Sequence, residues 1–170
     1  MSVMADRYSE ITEEVTDQYL TFSLAGEEYG VDILRVQEVK VWTEVTVLPN
    51  TPSYIKGVLN LRGVIVPIVD LRTRLGIEAA AYDETTVIVV LKLPIDQREP
   101  TIGLVVDSVS DVLDIPGSSI KPVSEFETGS RSGAITGVAT VNDKLVIMMD
   151  AARLLDASEM LELETEAVEA

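Results

Sequence analysis

Side chains able to do catalytic chemistry are scarce in this sequence, which contains no histidine and no cysteine. A Ser-His-Asp or Cys-His nucleophile, an imidazole general base and the usual zinc sites are therefore excluded. The glycine- and serine-rich stretch 129–133 lacks the Lys-Ser/Thr pair of a phosphate-binding loop, and it precedes a strand-like run instead of a helix. We therefore expect no metal, and carboxylates are the remaining groups to consider.

Two aspartates, Asp70 and Asp150, occupy equivalent positions in two similar segments. A pseudo-twofold axis could bring them together as a carboxylate dyad sharing one proton, as in aspartic proteases. The alternative is that each aspartate caps a short helix, because helix-like residues follow both of them. We favour capping, with Asp70 and Arg74 at the i,i+4 spacing of an ion pair.

These similar segments belong to an internal repeat. The run from Gly57 to Leu75 matches the run from Gly137 to Leu155 at an offset of 80 residues. Upstream, residues 30–39 match residues 103–112 at an offset of 73. The same order of matches in both halves predicts a duplicated β unit.

The clearest difference between the two copies is a hairpin tip, Arg62-Gly63 in one and Asn142-Asp143 in the other. Asn and Asp suit a tight hairpin turn, and at the first tip only Gly63 is demanded by the turn. Arg62 has no such local reason. It is either a solvated surface arginine or a planar fork of donors for a partner's carboxylate.

The strand-like runs are short, rich in β-branched residues and separated by closely spaced turn signals. This pattern predicts an all-β protein of two small barrels with roughly five strands each. Segment 34–41 fits either a strand or a helical turn. A doubly wound α/β fold is disfavoured because the connections lack crossover helices.

Charge is strongly acidic and concentrated at the ends of the chain. The net charge is −16, with 13 basic and 29 acidic residues, which argues against nucleic acid and anionic membranes as partners. We expect residues 1–17 to be a flexible acidic tail and residues 156–170 to be an acidic amphipathic helix or tail. The absence of cysteine, of a leader and of any apolar run near 20 residues predicts a cytoplasmic protein.

The longest motif, Gly57 to Leu71, resembles the CheW family of bacterial chemotaxis coupling proteins. The resemblance extends from about Tyr19 to Leu155 and includes residues 36–39, 48–49, 52–56, 103–109 and 120–122. It implies that residues 18–155 form two intertwined SH3-like five-stranded barrels, related by a pseudo-twofold axis, with short helices and a C-terminal helix. It also implies a scaffold without catalytic activity or cofactor, which couples chemoreceptor tips to the histidine kinase CheA at membrane-associated receptor arrays.

Site residues carried over from the family form two groups. The receptor-facing groove between the barrels would comprise Ile33, Val36, Glu38, Arg62, Ile65 and Val87. Contacts with the kinase and the array would come from Lys121, Glu125 and Phe126. An alternative for Phe126 is that it folds back onto its own barrel.

Two further questions stay open at this point. Self-association into rings is one of them. The other is an alternative function, in which the chain is a regulatory module of a hybrid coupling protein or of a kinase.

Overall fold

The computed structural model describes residues 16–78, 80–94, 97, 99–123 and 133–155. The predicted C-terminal helix, most of the N-terminal tail, Glu125 and Phe126 lie outside these residues. The first strand already includes positions 16 and 17. The strands are β1 (Thr16–Leu24), β2 (Glu27–Asp32), β3 (Val36–Val41), β4 (Ile55–Leu61), β5 (Val64–Asp70), β6 (Val87–Lys92), β7 (Thr101–Val106), β8 (Ser108–Pro116), β9 (Ile120–Pro122), β10 (Ile135–Val141) and β11 (Lys144–Met149).

Helical structure in the described residues is limited to short pieces. The α-helix α1 (Leu71–Arg74) follows β5, and 3-10 turns cover Ile33–Arg35, Gly117–Ser119 and Ala151–Arg153. Segment 34–41, which fits two periods, thus divides between a 3-10 turn and β3. The prediction of an all-β protein is confirmed.

The strands form two mixed sheets, each rolled into one barrel. The first barrel has the strand order β8-β1-β2-β11-β10-β9, and the second has the order β3-β6-β7-β5-β4. Strand β3 follows β2 in the chain but pairs with β6, while β8 follows β7 but pairs with β1. The barrels are intertwined because each one lends the other a strand. The second barrel has the expected five strands, and the first gains the three-residue strand β9.

The sequence repeat corresponds to a repeated pairing register. Each barrel contains one parallel pair, in which Ile68 lies opposite Gly103 and Met148 lies opposite Gly30. These partners are related by the same offsets of 80 and 73 residues that the sequence shows. A Cβ atom at Gly103 would lie 2.7 Å from the side chains of Ile68 and Ile88, so the close approach of these strands requires glycine. The predicted duplication is confirmed.

Buried side chains form one shared core between the barrels and one smaller core inside each barrel. The shared core draws Phe22 and Val31 from the first barrel and Val89 and Leu104 from the second. Alternate residues of the same strands, such as Ile88 and Val90, fill the interior of the second barrel. Because strands such as β6 are buried on both faces, they read as continuous apolar runs.

Candidate functional site

The tip of the β4–β5 hairpin places Arg62 in a backbone conformation that arginine disfavours. Its φ is +52° and that of Gly63 is +87°, while the amide of Gly63 donates to the side-chain oxygen of Asn60 at 2.8 Å. Both tip residues therefore need positive φ, and the interpretation that the turn demands only the glycine is wrong. A non-glycine residue in this region costs roughly 1 kcal/mol or more. Asn142 and Asp143 at the equivalent tip tolerate it better.

The Arg62 guanidinium forms an ion pair with Glu38 of β3. The distance from Nη2 to Oε2 is 3.0 Å, and the side chains of Arg62 and Glu38 are 76% and 26% exposed. An exposed pair of this kind contributes at most about 1 kcal/mol to stability. Stability therefore does not explain an arginine at a strained turn, and most of its guanidinium surface remains accessible to a partner.

A groove of about 550 Å³ opens beside this ion pair. Its lining includes Arg62 and Ile65, both in the predicted receptor-facing set, together with Gln37, Val64 and Lys92. Val64 is 54% exposed and Ile65 is 41% exposed. We call this surface the Arg62 groove. It combines apolar side chains with the cationic side chains of Arg62 and Lys92, a combination suited to binding an amphipathic segment.

The other apolar residues of the predicted set lie beside the shared core and do not line the Arg62 groove. Ile33, Val36 and Val87 are half-buried and pack against that core. Val36 pairs with Leu91, and Val87 pairs with Val41 and Val106. The structure thus places Ile33, Val36 and Val87 in a core-rim group and Arg62 and Ile65 in a groove group. Glu38 is connected to the groove group through its ion pair with Arg62.

Strand β3 carries a feature that sequence reasoning missed. Its valines at positions 39 and 41 are 43% and 68% exposed, whereas Glu38 and Lys40 between them are half-buried. This is the reverse of the burial expected for a surface strand. The alternation is present in the sequence, but the face of each side chain could not be assigned while segment 34–41 fitted both a strand and a helical turn.

The predicted kinase-facing residues are only partly visible. Lys121 is exposed on β9, opposite Val138 of β10. Glu125 and Phe126 lie outside the described residues, so their grouping with Lys121 stays a prediction.

Asp70 and Asp150 each cap the turn that follows them, as favoured from the sequence. Asp70 is buried, and its carboxylate accepts hydrogen bonds from the amides of Arg72 and Thr73 and from the hydroxyl of Tyr82. Asp150 is exposed and accepts a hydrogen bond from the amide of Ala152. Since both oxygens of Asp70 are already occupied by these donors, the geometry gives no support to a carboxylate dyad.

Burial and the hydrogen bond to Asp70 raise the pKa of the Tyr82 phenol well above its ordinary value. Tyr82 also packs against Trp42, with ring centroids 4.3 Å apart. This phenol is therefore a structural donor that stays protonated. In the described part of the chain, acidic side chains do not gather into a group of three or more that could hold a metal ion.

No helix among the described residues is long and apolar enough to cross a membrane. The helices among these residues are α1 and the three 3-10 turns described above, and all of them are short.

Comparisons with known proteins agree with this architecture. Residues 18–159 match the family model described as CheW-like domain. The Chemotaxis protein CheW of Klebsiella aerogenes is 45% identical over 148 residues, which cover 87% of each chain. A probable chemotaxis protein CheW of Rhizobium etli is 31% identical over 142 residues, covering 84% of this chain and 89% of that protein.

A solved structure shows the same fold. The crystal structure of the scaffolding protein TtCheW from Thermoanaerobacter tengcongensis matches with a TM-score of 0.75 and 32% sequence identity, covering 85% of this chain and 91% of that one. The family model, the relatives and the fold agree over nearly the whole described body, and the chain therefore belongs to the CheW family of chemotaxis proteins.

Proposed function

We propose that this protein is a non-enzymatic adaptor that couples the cytoplasmic tips of chemoreceptors to the histidine kinase CheA. It would act in the cytoplasm at membrane-associated receptor arrays, without a cofactor. Family membership and the scaffolding neighbour support this role. The single observation that carries it is the Arg62–Glu38 pair, because the arginine is kept at a strained turn that stability alone does not justify.

Receptor binding would use both groups of the predicted set. Half-buried Val36 and Val87 and exposed Ile65 offer apolar surface to the side of a receptor helix. Glu38 and Arg62 would fix the register of that helix through polar contacts. We expect the apolar contacts to supply most of the affinity, and the charged pair to supply specificity and encounter rate.

Kinase binding would use a different part of the molecule. Lys121 lies on β9, the edge strand of the first barrel, whereas Arg62 and Ile65 belong to the second barrel. We propose that Lys121, Glu125 and Phe126 contact the regulatory domain of CheA. Placing the two partners on different barrels would allow both to bind at once, as coupling requires.

Reconstitution tests this proposal directly. Wild-type protein should bind a receptor tip fragment and the CheA regulatory domain separately, and should stimulate kinase activity when both partners are present. Arg62→Ala should weaken binding to the receptor fragment only, whereas Lys144→Ala, an exposed change on the first barrel, serves as a matched control. A wild-type chain that binds neither partner would refute the proposal.

The alternative function, a regulatory module of a hybrid coupling protein or of a kinase, is not favoured. The matches to chemotaxis proteins named CheW cover most of those proteins' own length. Stimulation of the kinase by this chain, unfused to another domain, would decide against the alternative. Ring self-association stays a prediction, and sedimentation of the isolated chain would test it.

A further inference from the structure

An ion pair between Arg72 and Asp107 differs from the other ion pairs of the described residues in being bidentate and half-buried. Nε of Arg72 donates to Oδ1 of Asp107 at 2.9 Å, and Nη2 donates to Oδ2 at 2.6 Å. The two side chains are only 19% and 33% exposed. A bidentate interaction of this kind, between a planar guanidinium and a carboxylate, is both strong and geometrically specific.

Asp107 also holds segments from both barrels. Its Oδ2 accepts a hydrogen bond from the amide of Ala25 in the β1–β2 turn, and its own amide donates to the carbonyl of Ser23. On the other side, its carbonyl accepts a hydrogen bond from the hydroxyl of Thr85, just before β6. The pair therefore fastens the β7–β8 crossover to the first barrel, to α1 and to the residues just before β6. We call it the Arg72–Asp107 clamp.

This fastening exists in one copy of the repeat only. The position equivalent to Asp107 is Leu34, which is 85% exposed, and the position equivalent to Arg72 is Ala152. At the β2–β3 crossover of the described chain, Asp32 caps the amide of Leu34 and makes no ion pair with a described residue. The equivalent β2–β3 crossover is thus formed without an ion pair of this kind, so the repeated fold does not call for one at every crossover.

Two valines lie beside the Arg72–Asp107 pair in the sequence. Val87 begins β6 two residues after Thr85, and Val109 lies in β8 two residues after Asp107. One valine comes from each barrel, and both are half-buried against the shared core. Each lies two residues from one end of the hydrogen bond between Thr85 and Asp107, so their relative placement depends on how the crossover and the approach of β6 are held together.

Resting on the proposed receptor role of Val87, we propose that Arg72 and Asp107 are positioning residues for a receptor-binding rim formed by Val87 and Val109. The clamp touches no part of the Arg62 groove, so it acts by setting the relative placement of the two valines. The hydrogen bonds from Arg72 lower the pKa of Asp107, so the carboxylate is charged at neutral pH.

Conservative variants separate positioning from bulk stability. Asp107→Asn keeps the shape and an acceptor for Ala25 but removes the charge, and Arg72→Lys keeps the charge but removes the fork. Arg153→Gln is a matched control, because it removes an exposed ion pair with a separation of 3.6 Å elsewhere in the chain. Each variant is measured for affinity to a receptor tip fragment, affinity to the CheA regulatory domain, melting temperature and the methyl NMR shifts of Val87 and Val109.

We expect Asp107→Asn and Arg72→Lys to weaken receptor-fragment binding by roughly threefold to tenfold and to shift both valine methyl signals. Affinity for the kinase domain should stay unchanged, and Arg153→Gln should alter neither affinity. A double variant should be little worse than either single one, because both changes break the same interaction.

Three results would overturn this inference. One is receptor binding that is unchanged in both variants, and another is an equal loss of both affinities in step with melting temperature, which would indicate a merely structural role. The third is a wild-type protein that fails to bind the receptor fragment, which would refute the proposed function and, with it, the proposed receptor-binding rim. The wild-type measurement therefore distinguishes the two failures.

Discussion

Two aspartates at equivalent positions of the repeat should differ sharply in their contribution to stability. Asp70 is 3% exposed and accepts hydrogen bonds from two backbone amides and from the Tyr82 hydroxyl. Asp150 is exposed, caps one amide and lies 3.6 Å from Arg153. The same residue type in the same local motif thus occupies a buried network in one copy and solvent in the other.

The difference can be worked out from these contacts. Asp70→Ala removes a helix cap, at a cost of about 1 kcal/mol. It also leaves the partly buried Tyr82 hydroxyl without its acceptor, which costs about 1–3 kcal/mol. We expect a total loss of roughly 2–4 kcal/mol. Asp150→Ala should cost about 1 kcal/mol or less, since its cap and its ion pair are both exposed to water.

Urea unfolding of the two variants tests this difference. A double-mutant cycle with Tyr82→Phe, which keeps the ring packed on Trp42, isolates the contribution of the Asp70–Tyr82 hydrogen bond. We expect the double variant to be clearly more stable than the sum of the single losses implies, by about 1 kcal/mol or more. Equal losses at positions 70 and 150, or a strictly additive cycle, would show that the buried network does not act as described.

Three further outcomes are expected. Arg62→Asn should leave the free energy of unfolding unchanged or raise it by up to about 1 kcal/mol, because asparagine tolerates positive φ. Receptor binding should fall in the same variant. A loss of stability would contradict the interpretation that the turn at Arg62 is strained. Gly103→Ala should destabilise by about 1–3 kcal/mol in a urea titration, and Gly117→Ala, where a Cβ meets nothing within 4 Å, should be near neutral. The lowered pKa of Asp107 contributes stability that is present above the ordinary aspartate pKa of 3.8 and is lost as pH falls through the folded value. Asp107→Asn should therefore make the free energy of unfolding depend less steeply on pH in acid. An unchanged pH dependence would count against the Arg72–Asp107 clamp.

The duplicated architecture could be predicted from the sequence because it depends on local features that repeat. The glycines at 30 and 103 are conspicuous among apolar residues, and their strands pair in the same register in both barrels. The short runs of β-branched residues likewise predicted strands. The C-terminal helix stays a prediction because it lies outside the described residues.

Contacts between distant residues could not be predicted in this way. The spacing of Asp70 and Arg74 predicted an ion pair, but Nε of Arg74 donates to the carbonyl of Leu154 at 2.7 Å, and the guanidinium lies over the Tyr54 ring at 4.7 Å. The clamp between Arg72 and Asp107 joins residues 35 positions apart, with no periodic signal to reveal it. Such contacts depend on how the barrels pack, which a local pattern does not encode.

Divergence between the copies agrees with the proposed role of an adaptor with two different partners. If the two copies of the repeat were identical, the molecule would present the same surface twice, and this would favour binding two copies of one partner. Here the position equivalent to Arg62 holds Asn142, and the position equivalent to Asp107 holds the exposed Leu34. Because both barrels contribute to the shared core, these local differences give two unlike surfaces on one packed unit. Substitution of Asn142 by arginine should therefore leave the fold intact and should not create a second receptor site, since an ion pair equivalent to Arg72–Asp107, which we propose to position the valine rim, is absent from that copy.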